Sequence, residues 1–279
     1  MSPTWREATP PPEPELRGAD RMRIALRGSM MGVVTFGGLA LLLLVRLLER
    51  PIHGVRRPWT PSITQAVCRA NLRILGLASE IEGTPLDGPG AIVANHATWL
   101  DIFVLNAAAR IYFVSKSEVA GWPGVGWLAR ATGTVFIERD PRRARDHTHA
   151  LAARMGSGHP IVFFPEGTST DGLRVLEFKS TLFAPLCSAE DRGLRVQPAT
   201  IRYMSPPGED PRFYGWWGDM EFGPNFRKML AAPRHGHVRV RFDMPLQPGA
   251  DRKALALRTG TIVRDAHAGH AVSPGAATQ

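Results

Sequence analysis

The spacing of apolar residues changes at about residue 78, and this change divides the chain in two. Residues 28–45 form a run of 18 uncharged residues that ends in four leucines and a valine. That length is just sufficient for a helix that crosses a membrane. Residues 62–77 place apolar side chains at helical spacing, with arginines elsewhere on the wheel. This second pattern predicts an amphipathic helix that packs on the domain or lies at a membrane interface.

Beyond residue 78, short apolar runs alternate with segments of helical spacing. We predict strands at residues 79–83, 91–95, 111–115, 133–138, 161–165, 195–202 and 236–243. We predict helices at residues 100–109, 122–131, 142–156, 179–190 and 250–266. Alternating strands and helices indicate an α/β sheet covered by helices.

The two ends of the chain carry no apolar periodicity. We expect disordered tails over residues 1–20, which are rich in proline, and over residues 268–279. Between them we expect a membrane-anchoring segment over 21–60 and an α/β domain over 61–267 that includes the amphipathic helix. Arginines precede and follow the apolar run, so its charges do not decide whether it spans the membrane or enters one leaflet.

Charge points to an anionic partner. The net charge is +9 over 279 residues, which suits nucleic acid, an anionic membrane surface or a phosphorylated substrate. Composition alone does not choose among them. Cys68 and Cys187 form no CxxC pair, so we expect neither a disulfide framework nor a cysteine zinc site.

The segment 91–101 carries the most informative chemistry. A buried strand runs into Asn95 and His96, and Asp101 follows five residues after the histidine. At a strand-to-helix turn, the carboxylate can bond to Nδ1 of the ring and leave Nε2 free as a base. The nucleophile would then be a hydroxyl of the substrate. The spacing alone favours an ordinary helix-capping or core histidine.

Other predicted strands also end in polar residues. The strand at 161–165 runs into Glu166, Gly167 and Thr168, and strand ends are where open α/β sheets bind ligands. The strand at 133–138 is followed by Arg139, which is placed to meet an anion. An ordinary turn and a solvated arginine remain alternatives. A proline within the run 196–198 indicates an edge or bulge position.

Taken in order, these four elements resemble the glycerolipid acyltransferase family, which contains 1-acylglycerol-3-phosphate acyltransferase. Asn95, His96 and Asp101 match its N-H-x-x-x-x-D motif. The F-I-x-R motif is matched at residues 136–139, the F-P-E-G-T motif at 164–168 and the V-x-P motif at 196–198. The resemblance covers roughly residues 65–250.

This resemblance implies a mixed, mostly parallel sheet flanked by helices, behind one or more N-terminal membrane helices. It places the domain on the cytoplasmic face of the inner cell membrane. His96 would deprotonate the hydroxyl of a lysolipid, and Asp101 would orient His96. The acyl donor would be a thioester of acyl-carrier protein or coenzyme A, with no metal and no cofactor. The acceptor or anion site would use Arg139, Glu166, Gly167, Thr168 and Lys116.

One departure bears on the acceptor. Ser169 stands where the family commonly has an arginine suited to a phosphate. The segments 115–123, 166–172 and 214–220 resemble a bacterial branch that acylates lyso-ornithine lipid. Both acceptors therefore stay open, and Glu166 and Asp171 are candidates to meet an ammonium head group.

Two other classes of protein compete with the acyltransferase. An acyl-ester hydrolase would need a serine elbow, and no G-x-S-x-G occurs in the chain. A non-enzymatic basic protein that binds membranes or nucleic acid is the second alternative. The basic residues are spread along the chain, so membrane lipids explain the charge better than nucleic acid does.

Overall fold

The computed structural model describes residues 5–12, 15–54, 56–122, 124–137, 151, 154–155, 158–187 and 193–269. The helices are α1 (Gly18–His53), α2 (Thr60–Leu75), α3 (Leu100–Ala108), α4 (Val125–Thr132), α5 (Ala184–Cys187), α6 (Phe222–Ala231) and α7 (Arg252–Ala268). Short 3-10 helices cover Ser117–Gly121 and Ser180–Phe183. The strands are β1 (Ala78–Glu82), β2 (Gly90–Ala94), β3 (Tyr112–Lys116), β4 (Val135–Ile137), β5 (Ile161–Phe163), β6 (Arg195–Met204) and β7 (His237–Phe242).

Seven strands of the described residues form one sheet in the order β1-β7-β6-β2-β5-β3-β4. Neighbouring strands are parallel except β6 and β7, which run antiparallel. The predicted mixed, mostly parallel sheet is therefore confirmed. Because β2, β3, β4, β5 and β6 run the same way, the residues that follow them emerge at one edge of the sheet.

Both faces of the sheet are covered, so its central strands are apolar throughout. Successive side chains of a strand point to opposite faces. Ile92 and Ala94 of β2 pack in a core with α2, α3 and α6, whereas Ala91 and Val93 pack in a second core with α7. Burying each of the larger side chains among these contributes about 1.5–3 kcal/mol to the stability of the fold. This double burial explains why β2 reads as a continuous apolar run.

Some element boundaries differ from the prediction. The helix α6 was not predicted, because Gly223 and Pro224 lie in its first turn and weaken the periodic signal. The helix expected at 179–190 is a 3-10 turn followed by the four-residue α5 within the described residues. Most of the helix expected at 142–156 lies outside the described residues.

The helix α1 is longer than the apolar run that predicted it, and it lies against the domain. The Arg27 guanidinium donates to the carbonyls of Leu230 and Ala232 at 3.0 and 2.6 Å, which joins α1 to the end of α6. Glu49 is fully buried and accepts hydrogen bonds from the backbone N–H and hydroxyl of Thr60 at the start of α2. Most of the large apolar side chains of α1 are exposed.

The N-terminal residues 5–12 contact the domain. Trp5 is 6% exposed, and its backbone N–H donates to the Thr168 hydroxyl at 3.4 Å. The Trp217 indole donates to the carbonyl of Ala8 at 2.8 Å. The expectation of a disordered tail over 1–20 does not hold for these residues, because one buried tryptophan anchors a segment that has no apolar periodicity. Helix α1 also begins inside the expected tail, at Gly18. Residues 270–279 of the other expected tail lie outside the described residues.

Candidate active site

The predicted His96–Asp101 pair forms at the turn between β2 and α3. Nδ1 of His96 lies 2.7 Å from Oδ2 of Asp101, a hydrogen-bonding distance. The side chain of His96 is 19% exposed, and that of Asp101 is fully buried. Because Asp101 accepts the Nδ1 proton, Nε2 is the ring nitrogen that can take a proton from a substrate. The core-histidine alternative does not explain this partly exposed ring and its buried carboxylate partner.

Asp101 is held from several directions. Its Oδ2 also accepts the backbone N–H groups of Ala97 and Thr98 at 2.8 and 3.1 Å. Its Oδ1 accepts the hydroxyl of Tyr203, from the end of β6, at 2.8 Å. A buried carboxylate with four donors keeps a single orientation, so the imidazole that it bonds keeps one tautomer.

The ring of His96 is also fixed by stacking. It lies on the ring of Phe164 with a centroid distance of 4.1 Å and an interplanar angle of 12°. Asn95 is buried and exchanges hydrogen bonds with both backbone groups of Ile201, at 2.8 and 2.9 Å. These contacts tie the end of β2 to β5 and β6, so neighbouring strands set the position of the base.

Glu166 supports the turn from inside. One carboxylate oxygen accepts the backbone N–H of His96 at 2.7 Å, and the other accepts that of Leu176 at 2.8 Å. Burial raises the pKa of Glu166 to about 8, although these two N–H donors act in the opposite direction. Glu166 therefore holds the backbone of His96 within this turn.

Glu166 and Asp171, the acids expected to meet an ammonium group, are both buried. Both side chains are 1% exposed. The carboxylate of Asp171 bonds to the guanidinium of Arg174 and to the backbone N–H of Leu173. Because both acids bond to other groups of the protein, a substrate would have to displace those contacts to reach them.

The remaining residues of this turn connect it to neighbouring segments. Gly167 has a φ of +74°, which favours glycine at this position. The Thr168 hydroxyl accepts from the backbone of Trp5. The Ser169 hydroxyl donates to the carbonyl of Trp216, so it fixes the loop that carries residues 214–220. An arginine at position 169 could not make this contact in the same geometry.

The predicted cations are only partly described. Lys116 is exposed at the end of β3 and pairs in register with Ile137, the last described residue of β4. Arg139 lies outside the described residues. The pairing of β3 and β4 nevertheless brings Lys116 beside the strand that leads toward Arg139.

Tyr203 was not among the site residues predicted from the sequence. It lies 102 residues from Asp101 along the chain, near the end of β6, whereas the motif residues of that strand lie near its start. Burial and the adjacent Asp101 raise the pKa of Tyr203, so its hydroxyl stays protonated and donates to the carboxylate. Its ring packs on that of Tyr214 at 5.1 Å, and the hydroxyl of Tyr214 lies 3.1 Å from Nδ1 of His235.

Comparison with known proteins bears on this site. The family model described as Acyltransferase matches residues 78–202, which include His96, Asp101 and Glu166. The chain is 53% identical to the lyso-ornithine lipid O-acyltransferase of Rhodobacter capsulatus over 265 residues, which cover 94% of this chain and 96% of that protein. The chain belongs to the glycerolipid acyltransferase family.

Other members of the glycerolipid acyltransferase family match less of the chain. The 1-acyl-sn-glycerol-3-phosphate acyltransferase of Neisseria gonorrhoeae is 33% identical over 147 residues, covering 52% of this chain and 56% of that protein. The crystal structure of the 1-acyl-sn-glycerophosphate (LPA) acyltransferase PlsC from Thermotoga maritima superimposes with a TM-score of 0.62 at 21% identity. It covers 91% of this chain and 98% of that chain. This likeness shows the acyltransferase fold.

Proposed function

We propose that this acyltransferase moves a fatty acyl group from a thioester to the free hydroxyl of lyso-ornithine lipid. The observation that carries the choice of acceptor is the 53% identity, over 94% of the chain, with a lyso-ornithine lipid O-acyltransferase. The alternative acceptor, 1-acylglycerol-3-phosphate, is supported by a weaker match over about half of the chain. The reaction as proposed uses no metal and no cofactor.

The proposed chemistry follows from the paired side chains. Nε2 of His96 removes the proton of the acceptor hydroxyl while its oxygen attacks the thioester carbonyl. The tetrahedral intermediate then collapses, and the departing thiolate takes the proton from the imidazolium. The products are an ester and a free thiol. Asp101 stabilises the imidazolium that exists between the two proton transfers.

A basic cavity beside the site supports an anionic donor. It has a volume of about 620 Å³, and its lining residues include Tyr203, Glu209 and three arginines, Arg174, Arg202 and Arg264. Acyl-carrier protein and coenzyme A both carry their thioester on a phosphate-bearing arm. Arginines bind phosphate well, and Tyr203 connects this cavity to the Asp101 carboxylate. A donor thioester from either carrier is therefore part of the proposal.

The exposed apolar side of α1 supports attachment of the protein to the membrane. Among the described residues, α1 is the helix that is long and apolar enough to cross a membrane, with a mean hydropathy of 2.2 over 18 residues. It lies along α2 and α6, while Val33, Leu44 and Leu47 are 74%, 63% and 70% exposed. We therefore propose that the exposed face of α1 enters the lipid and that the domain remains on the cytoplasmic face.

Acyl transfer by the purified full-length protein tests this function. Labelled acyl-carrier-protein and coenzyme A thioesters are offered with lyso-ornithine lipid and with 1-acylglycerol-3-phosphate. We expect ester formation with the first acceptor, and a fall in kcat of about 10²–10⁴-fold in His96→Ala because the base is lost. The control His237→Ala changes an exposed histidine on β7 and should keep wild-type turnover.

Two results would contradict the proposal. Wild-type protein that acylates neither acceptor would exclude the lysolipid activity. A His96→Ala variant that keeps more than half of wild-type turnover would exclude the assigned base.

A further inference from the structure

An acceptor with an amino-acid head group brings a positive charge that needs a place in the site. A lyso-ornithine lipid carries a primary ammonium several bonds from the hydroxyl that is acylated. The acids expected to receive it, Glu166 and Asp171, are buried and bonded to other groups of the protein. The ammonium must therefore be received elsewhere near the catalytic turn.

Three aromatic side chains form a corner next to that turn. The rings of Trp122 and Trp216 are 6.4 Å apart with an interplanar angle of 81°. The rings of Trp216 and Phe222 are 6.2 Å apart with an interplanar angle of 77°. A cation that lay over an exposed ring face of Trp122 or Phe222 would fall within the ~6 Å range of cation–π attraction. We call Trp122, Trp216 and Phe222 the aromatic corner.

The backbone connects the aromatic corner directly to the catalytic turn. The N–H of Trp216 donates to the carbonyl of Ala97, the residue after the base, at 2.9 Å. The carbonyl of Trp216 accepts the hydroxyl of Ser169. Trp216 is thus held between the two segments that carry the base and the Glu166 turn. The aromatic corner therefore lies beside the turn that carries His96.

The aromatic corner is also open to solvent. Trp122 is 43% exposed and Phe222 is 38% exposed, although both are large apolar residues. Glu221 precedes Phe222 in sequence and is exposed. Exposed aromatic faces are a surface to which an ammonium group binds better than a phosphate does, because a ring face attracts cations and repels anions.

We propose that the aromatic corner binds the ammonium of the acceptor head group and so selects amino-acid lysolipids over phosphate-bearing ones. This inference rests on the proposed acyl transfer to lyso-ornithine lipid. The attraction is between the ring faces and the charge, so it depends on the charge of the acceptor and on the aromatic character of the side chains. Neither the donor nor the acyl chain enters this selection.

A matched pair of acceptors tests the proposal. Lyso-ornithine lipid is compared with the same lipid acetylated on its free amine. The acetylated lipid keeps the hydroxyl and the acyl chain but loses the positive charge of the ammonium. The ratio of kcat/KM for the charged acceptor to kcat/KM for the acetylated one is measured in each variant. Because both acceptors are used by the same preparation, loss of folded protein cancels from this ratio.

We expect the ratio to fall about 3- to 30-fold in Trp122→Leu and in Phe222→Leu, the size of one cation–π contact. Trp122→Phe keeps a ring and should recover most of the ratio. Trp127→Leu is the control, because this tryptophan is 71% exposed on the neighbouring α4 and lies outside the aromatic corner. Its ratio should equal that of the wild type, even if weaker contact with lipid lowers both rates.

An equal loss on both acceptors in Trp122→Leu and Phe222→Leu would overturn the proposal, since the rings would then only line the path of the acyl chain. An unchanged ratio would overturn it as well. Either result would leave the proposed function intact. Wild-type protein that acylates neither lipid would instead remove the function on which the inference rests.

Discussion

At the scale of single residues, the imidazole of His96 is fixed by the groups that surround it. Asp101 holds His96, and its own orientation depends on two backbone N–H groups and on the hydroxyl of Tyr203. Replacing Asp101 would therefore disturb the turn as well as the tautomer of the ring. Tyr203 offers a cleaner change, because its hydroxyl contacts only one oxygen of the carboxylate.

Tyr203→Phe should lower kcat about 10-fold and leave KM for both substrates unchanged. A hydrogen bond to a charged group is worth about 1.5–3 kcal/mol. Without the Tyr203 hydroxyl, the Asp101 carboxylate is held less firmly and stabilises the imidazolium of His96 by part of that energy less. Tyr112→Phe is the matched control, because its buried hydroxyl has no hydrogen-bond partner among the described residues. A loss confined to KM, or equal losses in the two variants, would show that Tyr203 does not position Asp101.

At the scale of elements, close packing joins the apolar helix to the domain. A Cβ atom at Gly38 of α1 would lie 2.2 Å from Cγ2 of Val67 on α2, whereas a Cβ at Gly37 would meet nothing within 4 Å. Substitutions at these two adjacent glycines therefore distinguish the effect of packing from the effect of helix propensity. Of the two, Gly38 is the one whose missing side chain lets α1 approach α2.

Gly38→Leu should lower the free energy of unfolding by about 1–3 kcal/mol, the usual cost of overpacking. Gly37→Leu should be neutral or stabilising, because leucine favours a helix more than glycine does. Thermal unfolding of both variants in the same detergent measures the difference. Equal melting temperatures would mean that α1 is not packed on α2 through Gly38.

At the scale of the whole molecule, His235 joins α6 to the layer of aromatic residues behind the site. Its Nδ1 lies 3.1 Å from the Tyr214 hydroxyl and its Nε2 lies 3.0 Å from the carbonyl of Met229. Burial, together with the nearby charge of Arg27, lowers the pKa of His235 from 6.5 to about 4. The folded protein therefore favours the neutral form of the His235 ring. Tyr214, which contacts His235, also packs directly on Tyr203.

This lowered pKa gives the stability a dependence on pH. The stabilisation is complete above pH 6.5 and is lost as the pH falls toward 4, because the unfolded chain binds the proton first. The loss should be about 1–3 kcal/mol. His235→Gln should reduce the fall in melting temperature between pH 7 and pH 4.5, whereas His237→Gln, at an exposed position, should not. Identical pH profiles of His235→Gln and wild type would refute this origin.

Local patterns were sufficient for much of this protein. The positions of β2, β5 and β6, the turn that carries His96, and the apolar helix α1 follow from apolar periodicity and from polar residues at strand ends. The His96–Asp101 pair also follows from local sequence, because both residues lie within one strand-to-helix turn. Short-range steric and hydrogen-bonding preferences decide such features within a few residues.

Tertiary structure alone decided which side chains surround that pair. Tyr203 reaches Asp101 only because β6 lies beside β2 in this register, and Trp122 meets Trp216 only because separate loops converge at one edge of the sheet. Glu166 was predicted as a ligand of the acceptor, yet the folded turn directs its carboxylate to backbone N–H groups. Such contacts depend on strand order and long-range packing. A periodic pattern does not encode these, because it records only which face of each element is buried.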